Sequence, residues 1–364
     1  MGYFSGARGV RQGDPLSPYL FVLAMNVFSK LLDAVAQHGV FQYHPKCKKI
    51  KLTHLCFAND LLIFSKGSME SIIGIQWVLN LFYIYSGLKL NSSKSELFYT
   101  GVSRQEMDLI QQATGFQLGQ LSVRYLGVPL ITKRLSAADC TLLIEKIIAR
   151  INCWTSKLLS YAGRLQLIQS VLFSIQNYWC RQFILPKGVI KVINQKCSKF
   201  FWKGSDTPLR GARVSWMDIC YPKAEGGLGL KDMAIWNAAC VIQNIWSILT
   251  KACSLWIAWI EAYVIKGRCF WQIPVSSVHS WNWRKILQLR SVAYNFVENR
   301  NGVECWRFQG SKYSTALICN ELRSKKEKRE WSRLLWTSLS IPKHVIVSWM
   351  TVLNRLPTMD RMLE

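Results

Sequence analysis

The sequence predicts an α+β fold over residues 1–132 and a mainly α-helical continuation. Three observations carry that prediction. From residue 17 to about 100 the pattern runs helix, hairpin, helix, strands, an order that backs antiparallel strands with helices. From about residue 135 the apolar spacing is helical. Thirteen of the sixteen tryptophans lie at or after Trp202, so the C-terminal part is compositionally distinct.

Residues 17–39 give the clearest helix. Ser17 suits the N-cap, Pro18 the first turn and Gly39 the exit. Leu20, Ala24, Val27, Leu31 and Val35 form its predicted core-facing stripe. The preceding segment, RGVRQGDPLSP, reads as a loop. IKLTHLCF and LLIFSK are β-prone runs joined across Ala58, Asn59 and Asp60, which predicts a hairpin. SMESIIGIQWVLNLFYIYSG reads as a second helix stopped by Gly87. LKLNSSKSELFYTG reads as strand, turn, strand, and VRYLGVPL as a further strand-like piece. The helices SAADCTLLIEKIIARINCW and SYAGRLQLIQSVLFSIQNYW follow, the second with Leu167, Val171, Ile175 and Tyr178 along one side.

Half of the residues are apolar and 18 % are charged, which excludes a disordered or fibrous chain. Lysine and arginine outnumber the acids by 46 to 21, a formal charge of +25. Such an excess attracts polyphosphates through counterion release and steering, so nucleic acid is the expected partner class. The twelve cysteines include no Cys-x-x-Cys pair. Reduced thiols in a nuclear or cytoplasmic protein, not a secreted one, are the economical reading. Cys305, Cys319 and His344 are too irregularly spaced for a zinc site and read as ordinary core or surface residues. YLFVLAMNVFSKLLDAV is cut by Lys30 and Asp33, so no membrane partner is expected. AEGGLGLKD lacks the Lys-Ser/Thr pair of a phosphate-binding loop. RSKKEKR, residues 323–329, reads as a solvated helix face or linker.

Four segments in order are more specific than any one alone. GVRQGDPLSPYLF (9–21), HLCFANDLLIF (54–64), SGLKLNSSKS (86–95) and RYLGVPL (124–130) resemble successive motifs of reverse transcriptases. The similarity is to those of plant LINE-type retrotransposons, elements without long terminal repeats. It continues through LLSYAGRLQLIQSVLFSIQNYW, FFWKG, PKAEGGLGLKDMAIWNAA and IPKHVIVSWMTVLNRLPTMDRML. The resemblance implies a partial palm at 1–132, a helical thumb at 133–205 and a Trp-rich connector at 206–364 leading into a zinc-binding region. It also implies RNA-directed DNA polymerase chemistry on an RNA template, a DNA primer and dNTPs, with Mg²⁺ or Mn²⁺.

That chemistry needs two divalent cations close together. One lowers the pKa of the primer hydroxyl, and both neutralise charge on the triphosphate. Such hard cations want carboxylate oxygens. By the resemblance three aspartates supply them, one on an earlier strand and two adjacent in the hairpin. Here the adjacent pair is Asn59–Asp60. An amide is neutral, and its NH₂ ligates no cation. The first hundred residues hold only Asp14, Asp33, Asp60, Glu70 and Glu96, and the family's order puts the third ligand upstream of Arg11. One charge missing at ~4 Å, at an effective dielectric near 20, forfeits roughly 4 kcal/mol. Two approach roughly 8 kcal/mol, or about six orders of magnitude in rate, as a non-additive scale. The expectation is an inactive polymerase retaining Asp60 as a residual ligand, with truncation at both ends and an unpaired hairpin edge. A non-enzymatic basic RNA- or DNA-binding protein is the alternative.

The other positions follow from the resemblance. Arg11, Gln12 and Gly13 match the loop at the incoming nucleotide and template. Lys94 matches a lysine that protonates the leaving pyrophosphate, and a plain surface lysine stays open. Tyr125, Leu126 and Gly127 match the strand that steadies the primer end. Lys157 and Arg164 are expected on the backbone-tracking face of the thumb.

Overall fold

The computed structural model describes residues 10–120, 123–155, 159–205, 212–300, 303–307 and 313–356. The architecture is mixed, mostly helical with small two-stranded sheets among the described residues. The chain divides into two compact units: Met1–Leu130 with Cys253–Cys269, and Ile131–Ala252 with Phe270–Glu364.

In the first unit helix α1 spans Ser17–Gln37, with Pro18 pre-setting the first turn. Ser17 does not cap it. Its hydroxyl donates to the Arg11 carbonyl at 2.5 Å, while Asp14 Oδ1 accepts from the Leu16 N–H at 2.8 Å. The buried side is Phe28, Leu32, Val35 and Ala36, whereas Leu20 and Val27 of the predicted stripe are exposed. Apolar residues occupy several faces of α1, so periodicity alone does not choose between neighbouring stripes. α1 is also long and apolar enough to cross a membrane by length and composition, so Lys30 and Asp33 do not interrupt it as expected; 22 % of its apolar window is buried.

The hairpin strands are β1, His54–Phe57, and β2, Asp60–Ile63. Helix α2, Met69–Ser86, ends at Gly87 with φ +74°, the left-handed cap glycine permits. Ile75, Val78 and Phe82 of α2 pack with the buried side of α1, and Leu61 and Ile63 of the hairpin lean on that core. Beyond it, the predicted strand before Asn91 does not form. Asn91 instead accepts from the Ser93 and Ser95 hydroxyls (2.7 and 2.8 Å), holding a 3₁₀ turn at Ser92–Lys94. Short β3, Glu96–Leu97, pairs in parallel with β4, Gln117–Leu118. Between them α3, Arg104–Thr114, starts with a Ser103–Glu106 capping box, a signature legible in SRQE. β5, Arg124–Tyr125, and β6, Val128–Pro129, close a small antiparallel hairpin.

In the second unit α4 spans Thr141–Thr155. α5, Tyr161–Leu167, a π turn at Ile168–Leu172 and α6, Phe173–Gln182, follow one another without a gap. Their buried side is Leu165, Ile168, Leu172, Gln176 and Trp179, one position off the predicted stripe; Tyr178 is exposed. Burying Trp179 outweighs the smaller residues beside it. α7 is Lys187–Lys203, α8 Trp216–Cys220 and α9 Met233–Leu249. The glycine loop between α8 and α9 is structural: a Cβ on Gly227 would collide with the Tyr221 carbonyl.

Cys253–Cys269, with α10 at Leu255–Ile260, belongs to the first unit. The Trp259 indole donates to the Lys46 carbonyl at 2.8 Å, and the Lys49 N–H donates to the Tyr263 hydroxyl at 2.7 Å. The second unit then resumes with α11, Trp281–Gln288, α12, Arg290–Tyr294, and the hairpin β7, Val297–Arg300, with β8, Val303–Trp306. α13, Thr315–Leu322, packs on α9, and α14, Ser332–Leu335, precedes α15, Pro342–Val352. The basic run 323–329 is neither helical nor free of partners. Lys326 Nζ lies 2.6 Å from Asp218, and the Arg329 N–H donates to the Ala224 carbonyl at 2.8 Å.

Candidate functional site

The candidate site is the tip of the β1–β2 hairpin. Its register pairs Cys56 with Leu61 and Phe57 with Asp60, so the connection is two residues, Ala58 and Asn59. Asp60 therefore begins a strand and does not share the turn with Asn59, as the sequence suggested. Ala58 takes φ +50°, a positive value at the first central position of a two-residue turn, where glycine is favoured. A non-glycine residue held there stores roughly 1–2 kcal/mol. Cys56, Phe57, Ala58, Asn59 and Asp60 are all exposed.

At the end of the hairpin opposite the tip lies a polar chain that nothing in the sequence signals. The buried Thr53 hydroxyl donates to Asp33 Oδ1 at 2.7 Å and is hydrogen-bonded to His54 Nδ1 at 2.8 Å. His54 Nε2 is hydrogen-bonded to the Ser29 hydroxyl, also at 2.8 Å. Burial pushes the imidazole below its ordinary pKa, partly opposed by the Asp33 charge. These residues lie up to 25 positions apart, and nothing local in the sequence signals the link.

Tyr125 lies on β5 and feels the charge of the tip. Its phenol pKa is raised by burial first, then by the charges of Asp60 and Cys56. Leu126 and Gly127 form the turn of the β5–β6 hairpin, with φ +52° and +78°, so of the three only Tyr125 lies on a strand. Arg11, Gln12 and Gly13 lie in an exposed loop, where Gly13 adopts φ +88°. Lys94 ends the exposed 3₁₀ turn. Among the described residues, no hydrogen bond or ion pair joins Arg11, Gln12 or Lys94 to Asn59 or Asp60.

In the second unit Lys157 lies outside the described residues, and Arg164 departs from expectation. Its Nη1 donates to the Phe201 and Trp202 carbonyls, each at 3.2 Å, satisfying orphan acceptors at the end of α7. The guanidinium also lies 5.4 Å from the centre of the Tyr161 ring. Arg164 holds two helices together and is not available as a backbone contact. Cys319 is buried, and His344 is exposed on α15.

The hairpin tip offers a divalent cation one carboxylate, from Asp60, beside the neutral Asn59. Among the described residues no three His, Cys, Asp or Glu side chains gather where they could hold a metal. Mg²⁺ requires a near-octahedral set of hard oxygens. The residues at this tip do not fit a two-cation centre.

Residues 2–130 match the family described as reverse transcriptase (RNA-dependent DNA polymerase). A protein of Arabidopsis thaliana named for ribonuclease H is 30 % identical over 174 residues, 47 % of this chain and 28 % of that protein. The retrovirus-related Pol polyprotein from the type-2 retrotransposable element R2DM of Drosophila melanogaster is 31 % identical over 136 residues, 34 % of this chain and 12 % of the polyprotein. An uncharacterized mitochondrial protein of Arabidopsis thaliana is 31 % identical over 101 residues, 28 % of this chain and 82 % of that protein. The chain thus spans under a third of the length of the first two relatives.

Proposed function

We propose that this chain, whose residues 2–130 match the reverse transcriptase domain, binds nucleic acid without extending a primer. The observation that carries this reading is the Asn59–Asp60 pair at the hairpin tip, where the family's metal chemistry calls for two adjacent carboxylates. The two-residue hairpin register and the exposed tip support this reading. The charge at the tip does not match that chemistry. No step of nucleotide transfer is assigned to these residues.

The finer reading is a retrotransposon-derived chain of the plant LINE type. Two Arabidopsis relatives and a relative named for a retrotransposable element support it, as does the order of motifs. RNA template and DNA primer are the partners that this reading implies. The formal charge of +25 favours retention of backbone binding even where chemistry is lost.

The test is a single preparation assayed twice on a labelled RNA–DNA primer–template. Anisotropy should show binding that weakens steeply and linearly in log salt and tolerates any sequence. Adding dNTPs with Mg²⁺ or Mn²⁺ should then give no extension. Extension of the primer above the blank would overturn the reading.

A further inference from the structure

The second unit contains a cavity of about 290 Å³ that the hairpin chemistry does not use. Leu165, Val345 and Ile346 give it apolar lining, and Lys223, Trp336 and Gln166 give it polar and aromatic lining. Among the described residues no acidic side chain lines it. Lys223 Nζ stands 4.5 Å from the centre of the Trp336 ring, and the Trp336 indole N–H is shielded from solvent without an acceptor among the described residues. The volume is at the low end for small-ligand cavities, roughly 300–1,000 Å³.

We infer that this cavity receives one unpaired nucleotide of a single-stranded nucleic acid, with the base against Trp336 and the phosphate toward Lys223. The inference rests on the reading of the chain as a nucleic-acid binder and adds to it a site for single strands. The Trp336 ring suits an apolar, flat body, whereas a bare phosphate would engage Lys223 alone. The ligand also has to bring acceptors and negative charge. The exposed Lys223 ammonium supplies both a cation and hydrogen-bond donors. A base supplies carbonyl and ring-nitrogen acceptors on a π face, and stacking on an aromatic side chain tolerates any base. In this arrangement the ammonium of Lys223 waits over the ring and moves to the phosphate as the base enters.

The experiment follows indole ¹⁵N–¹H resonances of the full chain, with that of Trp336 identified through Trp336→Phe. The titrants are uridine monophosphate, an octanucleotide of uridine, inorganic phosphate and a duplex of matching length. The Trp336 resonance should move with the mononucleotide and the single strand and stay in place with phosphate and duplex. Trp336→Ala should weaken single-strand binding by roughly 5- to 100-fold and leave duplex binding unchanged. Lys223→Gln, at an exposed end of the cavity, should weaken it by roughly 3- to 10-fold and keep the indole response, which guards against a folding defect in the tryptophan variant. An indole resonance unmoved by nucleotides while duplex binding persists would remove this site and leave the proposed function standing. Saturation by inorganic phosphate alone would also overturn the inference. Loss of all nucleic-acid binding would remove both.

Discussion

Arg323 grips Glu225 at two points: Nη1 donates to Oε2 and Nη2 to Oε1, both at 2.6 Å. The two side chains are 15 % and 10 % exposed, so the pair is largely desolvated and ties the run after α13 to the loop after α8. The Lys326 N–H donates a third bond to the same carboxylate at 2.9 Å. Removing one partner strands the other charge, so Glu225→Ala should destabilise the second unit by about 3 kcal/mol. Chemical denaturation of the variant against the parent reads this directly.

The same pair sets an acid limit. The Arg323 hydrogen bonds hold the Glu225 carboxyl below its ordinary pKa, against burial, and Lys326 and Ser215 do the same for Asp218. A folded-state pKa below the unfolded one contributes stability that is present above the unfolded value, about 4 for a carboxylate, and lost as pH falls through the folded value. Melting of the second unit should therefore decline below about pH 4.5. Glu225→Gln should flatten that decline.

The first unit should respond at a higher pH. His54 has a lowered pKa, caused first by burial and partly offset by Asp33. The unfolded chain then binds the proton more readily, so stability is lost as pH falls below about 6.5, the unfolded value. Lowering pH from about 7.5 to about 5.5 should lower the melting temperature of the first unit. His54→Gln should remove this slope, and an unchanged slope would show that the Ser29–His54–Thr53–Asp33 chain does not carry it.

Ala58 tests the hairpin tip. Its positive φ predicts that Ala58→Val lowers stability by ~1–2 kcal/mol, since a β-branched residue fits that region worst. Ala58→Gly should not lower it, because relief of strain offsets the added freedom of the unfolded chain.

Arg164→Ala separates a structural role from a nucleic-acid one. Loss of the bonds to the Phe201 and Trp202 carbonyls should cost about 1–3 kcal/mol of stability. The salt dependence of binding should stay as in the parent, because this guanidinium faces protein.

Much of the first unit was legible because its signals are local. Gly87 stops α2, and two β-prone runs joined across Ala58, Asn59 and Asp60 give β1 and β2. What was missed depends on distant partners. The stripes of α1 and α6 were displaced because both helices offer more than one apolar side, and packing against α2 or the burial of Trp179 decides between them. The run 323–329 and Arg164 look like free cations until Asp218, Glu225 and the end of α7 are placed beside them. Nothing in the spacing of Trp259 and Tyr263 tells that they hydrogen-bond to residues 45–49, more than two hundred positions earlier.

Charge at the hairpin tip decides whether cations pair there, and Mn²⁺ counted by electron paramagnetic resonance reads that directly. The account predicts no spin-coupled Mn²⁺ pair that depends on Asp60, in the parent or in Asn59→Asp, because the described residues gather no third ligand. A coupled pair of Mn²⁺ ions in the parent chain that disappears in Asp60→Asn would contradict it.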